Sequence, residues 1–133
     1  MKQKGAIMST LVFFDINGTL ITKDERTDIP YSNAVNNLLK TEDIMDGVDT
    51  SARSDKDVFI EILGKAGLEF SKQIWEEFLI LYVRELERFR NTDVWRGNTD
   101  AVSFVKDLKS KGITMALISG ELSIGAEYKL KKI

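Results

Sequence analysis

The 133-residue chain has no cysteine and no histidine, and only one proline. Without thiols it can form neither a disulfide nor a thiolate metal site. Without imidazole it loses histidine-based acid–base catalysis and most zinc chemistry. It has no excess of positive charge: 19 basic residues face 21 acidic ones, a net charge of −2, which argues against broad nucleic-acid binding. No apolar run approaches the roughly 20 residues needed to cross a bilayer. The opening MKQKGAIMST has two lysines but no apolar h-region, so a secretory signal is not expected and a cytoplasmic location is. A composition of 43% hydrophobic and 30% charged residues is ordinary for a globular protein of one domain, or of a small core with an inserted module. Any acid–base or metal chemistry must therefore rest on carboxylates, hydroxyls, lysines and backbone groups.

What is present is concentrated in residues 11–20, LVFFDINGTL. Leu11 to Phe14 read as a strand buried on both faces, as in a parallel sheet. Gly18 permits a sharp turn away from the strand end. Ligands of open α/β sheets gather outside the carboxyl ends of strands, which is where Asp15 falls. A carboxylate there can hold a hard cation or attack a phosphoryl group. An EF-hand loop fits less well, because its glycine stands sixth from the first aspartate and Gly18 stands fourth.

Beyond this strand the pattern is helical. Ile21 to Tyr31 is polar, contains Pro30, and reads as a loop. Ser32 can cap a helix of about ten residues with Ala34, Val35, Leu38 and Leu39 on one face. Thr41 to Arg53 reads as loop. Ser54 caps a helix to about Ala66, with Val58, Phe59, Ile62 and Leu63 as its stripe, and Gly67 stops it. Ser71 opens the longest helix, about 72–90, whose arginines Arg84, Arg88 and Arg90 suit a solvated C-terminal end. A turn at 95–98 leads to a helix over 99–111 with Ala101, Val102, Phe104, Val105 and Leu108 inward. A second strand over 113–118, ITMALI, delivers Ser119 and Gly120 to its tip, and a last amphipathic helix covers about 122–133. The outline is a parallel strand pair with a helical insertion in its crossover.

LVFFDINGTL resembles the first motif of the haloacid dehalogenase (HAD) superfamily, an apolar strand ending in DxDGT. Asp15 matches its nucleophile, and Gly18, Thr19 and Leu20 match its tail. The segment WRGNTDAVSFVKDLKSKGITMALISGE resembles that superfamily's second signature, a helix ending in Lys-x-Gly followed by a strand that ends in Ser or Thr. The hydroxyl position is Ser119. ARSDKDVFIEILGKAG (52–67) and SGELSIGAEYKL (119–130) are similar to segments of the phosphoglycolate-phosphatase-like branch, which carries a helical cap after the first motif. The resemblance implies an α/β fold with a Rossmann-like parallel sheet, an incomplete core from 1–20 and 92–133, and a cap from 21–91. It also implies phosphatase activity toward a small phosphorylated metabolite with Mg2+. Asp15 would attack to give an aspartyl-phosphate, with Asp15 and the Asn17 backbone carbonyl on the metal. Gly18, Thr19, Ser119 and Gly120 would bind the phosphate, and Arg53 and Asp55 would meet the substrate from the cap. The physical chemistry agrees: a hydroxyl and exposed amides at a strand end beside a helix N-terminus suit an oxyanion.

Two departures stand out. Asn17 occupies the family's acid–base position, and its carboxamide can neither give nor take that proton, a contribution of about a hundred- to ten-thousand-fold in rate. The family's third-motif lysine and fourth-motif acidic pair normally lie beyond the second strand, where only one helix is present. Lys129, Lys131 and Lys132 lie on that helix and carry no third-motif assignment. Three explanations stay open: a truncated or decayed phosphatase, a phosphate-binding or protein-interaction module without the chemistry, and an Asp→Asn change at position 17. Two core strands leave an open sheet edge, so self-association is expected.

Overall fold

The computed structural model describes residues 9–133, so the N-terminal segment 1–8, where the signal question and the start of the core were placed, lies outside the described residues. Strand β1 (Leu11–Phe14) is followed by helices α1 (Ile29–Leu39), α2 (Asp55–Lys65), α3 (Lys72–Phe89) and α4 (Thr99–Ser110). Strand β2 (Thr114–Leu117) and helix α5 (Ser123–Leu130) complete the order. The two strands pair in parallel with Phe14 opposite Leu117, and the Ile118 N–H continues the ladder to the Phe14 carbonyl at 2.8 Å. This register brings both chains out of the sheet side by side. It is an α/β architecture with a small parallel sheet and a helical block in the crossover.

Most helix limits follow from their caps. The Ser54 hydroxyl accepts from the Asp57 N–H at 3.1 Å and the Ser71 hydroxyl from the Ile74 N–H at 3.2 Å, as expected for the residues before α2 and α3. The first helix differs from the sequence reading. It starts at Ile29, three residues before Ser32, because Pro30 sits in the first turn, where no N–H is needed and its fixed φ favours the helix. The last helix is shorter than expected, ending at Leu130.

An aromatic core ties the block together. Phe59 of α2 stacks on Phe78 of α3 at 4.6 Å between ring centroids, and Phe78 stacks on Tyr82 at 5.5 Å. Tyr31 of α1 meets both Phe78 and Tyr82 edge-on. This cluster runs on through Ile16, Ile21 and Trp95, with Leu122 and Ile124 packed against it, so one apolar interior underlies both the helical block and the strand tips. The ends of the block are pinched together: Thr22 N–H bonds to Arg96 C=O at 2.9 Å and Asn98 N–H to Leu20 C=O at 2.8 Å.

A smaller cluster, Phe14, Leu20 and Leu108 with Val12, Val105 and Met115 against them, joins the sheet to α4. Here two expectations are corrected. β1 is not buried on both faces: Leu11 and Phe13 are 49% and 53% exposed, since only the Val12/Phe14 face has a helix over it. Phe104 is likewise half-exposed rather than inward, touching Phe14 only edge-on at 6.1 Å.

Candidate functional site: a polar cleft at the paired strand tips

The strand tips open into a polar cleft of about 390 Å³, a size suited to a small ligand. Asp15 and Asn17 enter it from β1, and Ser119, Gly120 and Glu121 from β2. Arg53, Ser54 and Asp55 face them from the start of α2. Asp15 and Ser119 are both exposed on the cleft wall, Asp15 one residue beyond the end of β1 and Ser119 two beyond the end of β2. The Ser119 hydroxyl oxygen accepts from the Glu121 N–H at 3.1 Å, which leaves its proton free to point at a ligand.

Gly18 and Thr19 lie in the turn after β1. Neither lines the cleft. Gly18 adopts a φ of +81°, its N–H bonds to Ile21 C=O at 2.7 Å, and the Thr19 N–H bonds to Ile16 C=O at 3.2 Å. Both amides are engaged within the turn that carries the chain away from β1.

The cleft is closed from the α2 side by direct bonds. Asp55 N–H donates to Gly120 C=O at 2.9 Å, and an Asp55 carboxylate oxygen accepts from Leu122 N–H at 2.9 Å. The Tyr31 hydroxyl donates to Asp55 C=O at 2.6 Å, fixing the same residue from α1. Burial raises the Asp55 carboxyl above its ordinary value, partly offset by the Leu122 N–H and by Lys129. Gly120 is required by this approach: a Cβ there would stand 2.5 Å from the Arg53 carbonyl and 2.8 Å from Ser54 Cα. The Arg53 guanidinium is directed into its own neighbourhood, to Glu61 and to Asp49 C=O at 2.8 and 2.9 Å.

Behind two of the cleft's lining residues, Asn17 and Glu121, lies a residue that the sequence reading left without a role. Lys129 of α5 is 3% exposed. It forms an ion pair with Glu121 and donates to the Asn17 carboxamide oxygen at 3.0 Å. One Glu121 carboxylate oxygen is buried with no hydrogen-bond partner among the described residues. Burial pushes the Glu121 carboxyl up against the opposing pull of Lys129. Tyr82 reaches the same spot, its phenol raised by burial and by Asp55 and Glu121. Gly125 makes the room, since a Cβ there would meet the Tyr82 hydroxyl at 2.6 Å and Glu121 at 3.1 Å. The one sequence cue was Gly125, a turn before Lys129 on the same helix face.

Among the described residues, no group of three or more Asp, Glu, His or Cys could hold a metal by itself. The Asp15 carboxylate and the Asn17 carbonyl nevertheless suit Mg2+, which commonly takes one or two carboxylates and completes its shell with water and phosphate oxygens. The cleft's charge also suits a divalent cation. Asp15, Asp28, Asp55 and Glu121 outnumber Lys23 and Arg53 beside the paired Lys129, so a phosphate alone would meet a net negative wall.

Solved structures share this fold. A hydrolase from Pseudomonas syringae superposes with a TM-score of 0.69 at 13% identity, over 94% of this chain and 56% of that one. An HAD hydrolase (family IA, variant 3) from Entamoeba histolytica HM-1:IMSS gives 0.54 at 19%, over 94% and 55%. A predicted phosphoglycolate phosphatase from Haemophilus somnus 129pt gives 0.51 at 17%, over 90% and 55%. No family model and no curated protein matches the chain. The chain therefore has the fold that these structures share, a small parallel sheet with a helical block in its crossover. The chain spans just over half the length of each of these structures.

Proposed function

We propose that the cleft binds the phosphoryl group of a small phosphorylated metabolite and supports its Mg2+-dependent hydrolysis through an aspartyl-phosphate on Asp15. The observation that carries this reading is the convergence of Asp15 and Ser119, from adjacent parallel strand tips, on one polar cleft. The Asp15 carboxylate attacks phosphorus, the ester P–O bond breaks, and the leaving oxygen departs with the bonding pair. Water then cleaves the acyl-phosphate and regenerates Asp15. Ser119 O–H and the Gly120 N–H would hold the phosphoryl oxygens as they turn. Mg2+ on Asp15 and the Asn17 carbonyl would neutralise the charge between carboxylate and phosphate. Residues 21–91 act as a cap over a core of 1–20 and 92–133, with Arg53 and Asp55 at the boundary. Asp55 serves chiefly to hold the cap against β2. The reading places the protein in the cytoplasm, where phosphorylated metabolites are found. Among the described residues no helix is long and apolar enough to cross a membrane.

A second reading is favoured by one specific contact. The Asn17 carboxamide cannot act as an acid, and Lys129 holds it at 3.0 Å. A chain so arranged can bind phosphate without turning it over. Assay of p-nitrophenyl phosphate with Mg2+ separates the two. Hydrolysis by the chain or its Asn17→Asp variant, abolished by Asp15→Ala, supports the enzyme. Absence of hydrolysis in both, with inorganic phosphate still raising Tm, supports the binding protein.

A further inference from the structure

Lys129 reaches Asn17 from the far end of the chain, and its ammonium can only donate hydrogen bonds. The oxygen of the Asn17 carboxamide must therefore be the atom that faces Lys129, at 3.0 Å. The other end, Nδ2, carries two N–H groups and makes no hydrogen bond with the described residues, while Asn17 itself lines the cleft. Lys129 is held in turn by its ion pair with Glu121, at 3% exposure, so it has little freedom to turn away.

We propose that Lys129 is a positioning residue that locks the Asn17 carboxamide with its N–H₂ end toward the cleft, converting position 17 into a hydrogen-bond donor for a phosphoryl oxygen. This rests on the phosphate-binding reading above. A carboxylate at position 17 would repel a phosphoryl oxygen unless protonated. A carboxamide oriented by a buried cation offers two donors at every pH. The role of Asn17 is then recognition of the anion, with no part in proton transfer.

The test is a titration of the ¹⁵N-labelled full chain with inorganic phosphate in the presence of Mg2+, followed by NMR. The Asn17 side-chain NH₂ resonances are expected to move downfield together with the Ser119 and Gly120 backbone amides. Movement of Ser119 and Gly120 with the Asn17 side chain unmoved overturns this inference and leaves the phosphate site standing. No movement at any of the three overturns the phosphate reading itself. The charge-neutral pair Lys129→Met/Glu121→Gln tests the positioning. It is expected to abolish the Asn17 shift and weaken phosphate binding about tenfold, the loss of one charge-assisted hydrogen bond. The Ser119 and Gly120 shifts should persist in that variant. Unchanged affinity and an unchanged Asn17 shift would show that Lys129 positions nothing. Should that variant fail to fold, the titration of the unmodified chain still decides whether Asn17 donates to phosphate, and an unmoved Asn17 side chain there overturns the proposal as a whole.

Discussion

Lys129 and Asn17 lie 112 residues apart and meet at 3.0 Å beneath the strand tips. The contact joins the turn after β1 to the helix after β2, behind the cleft-lining Asn17. It also governs what any substitution at position 17 can do.

An aspartate at position 17 would place its carboxylate against a buried ammonium, which holds a carboxyl in its charged form. The Asn17→Asp variant should therefore act as a general acid only toward the acidic end of the pH range. Turnover of an alkyl phosphate, whose leaving oxygen needs a proton, is expected to fall as pH rises through neutrality. A rate independent of pH between 5 and 8 would contradict it.

Gly120 and the Arg53 carbonyl are too close to admit a side chain, with a Cβ contact of 2.5 Å against backbone. Gly120→Ala must push the start of α2 away from β2 and break the Asp55 bonds to Gly120 and Leu122. The expected cost is about 1–3 kcal/mol, typical of overpacking a site that cannot relax. Thermal denaturation should show the loss, and Gly47→Ala provides a contrast. Its Cβ would meet nothing within 4 Å, so any cost there comes from its φ of +76° alone.

Burial raises the carboxyls of Glu121 and Asp55 above their ordinary values of 4.5 and 3.8. Between the ordinary and the raised value, the folded chain keeps a proton that the unfolded chain has released. The unfolded state then binds fewer protons, so stability falls as pH rises through that window and is regained as pH drops back. Glu121→Gln removes one of the two titrations. Comparison of denaturant midpoints at pH 7 and pH 4.5 should show the unmodified chain gaining on this variant at the lower pH. A gap that stays constant, or widens the other way, refutes the assignment.

The uncovered face of β1 presents Leu11 and Phe13 to solvent, with Leu117 and Ile118 exposed at the end of β2. An open, apolar two-strand edge is a template for pairing. The chain is expected to self-associate at high concentration, and Phe13→Lys to reduce that association with little effect on fold. Sedimentation velocity would show it. A strictly monomeric unmodified chain would rule the edge out as a contact.

Much of this arrangement was legible in the residues because it is local. Ser54 and Ser71 announce α2 and α3 through caps made within three residues. Leu11 to Phe14 and the apolar run before Ser119 mark the strands, and their order gives the parallel pair. The start of α1 was misplaced because Pro30 is a breaker inside a helix and a favourable residue in its first turn, and composition alone does not say which. Phe13 and Phe104 looked like core because apolar periodicity reports which residues share a face, not whether anything covers that face.

The sequence by itself determined the elements, the two strand ends, and the residue types delivered there, Asp15 and Ser119, since each follows from neighbours a few positions away. Only the tertiary structure decided that Lys129 is buried against Glu121 and Asn17, that Gly120 and Gly125 are needed for close approach, and that one side of the sheet is bare. Those facts depend on groups brought together from distant parts of the chain. Desolvation and hydrogen bonding act on distance in space, which no local pattern of residues records.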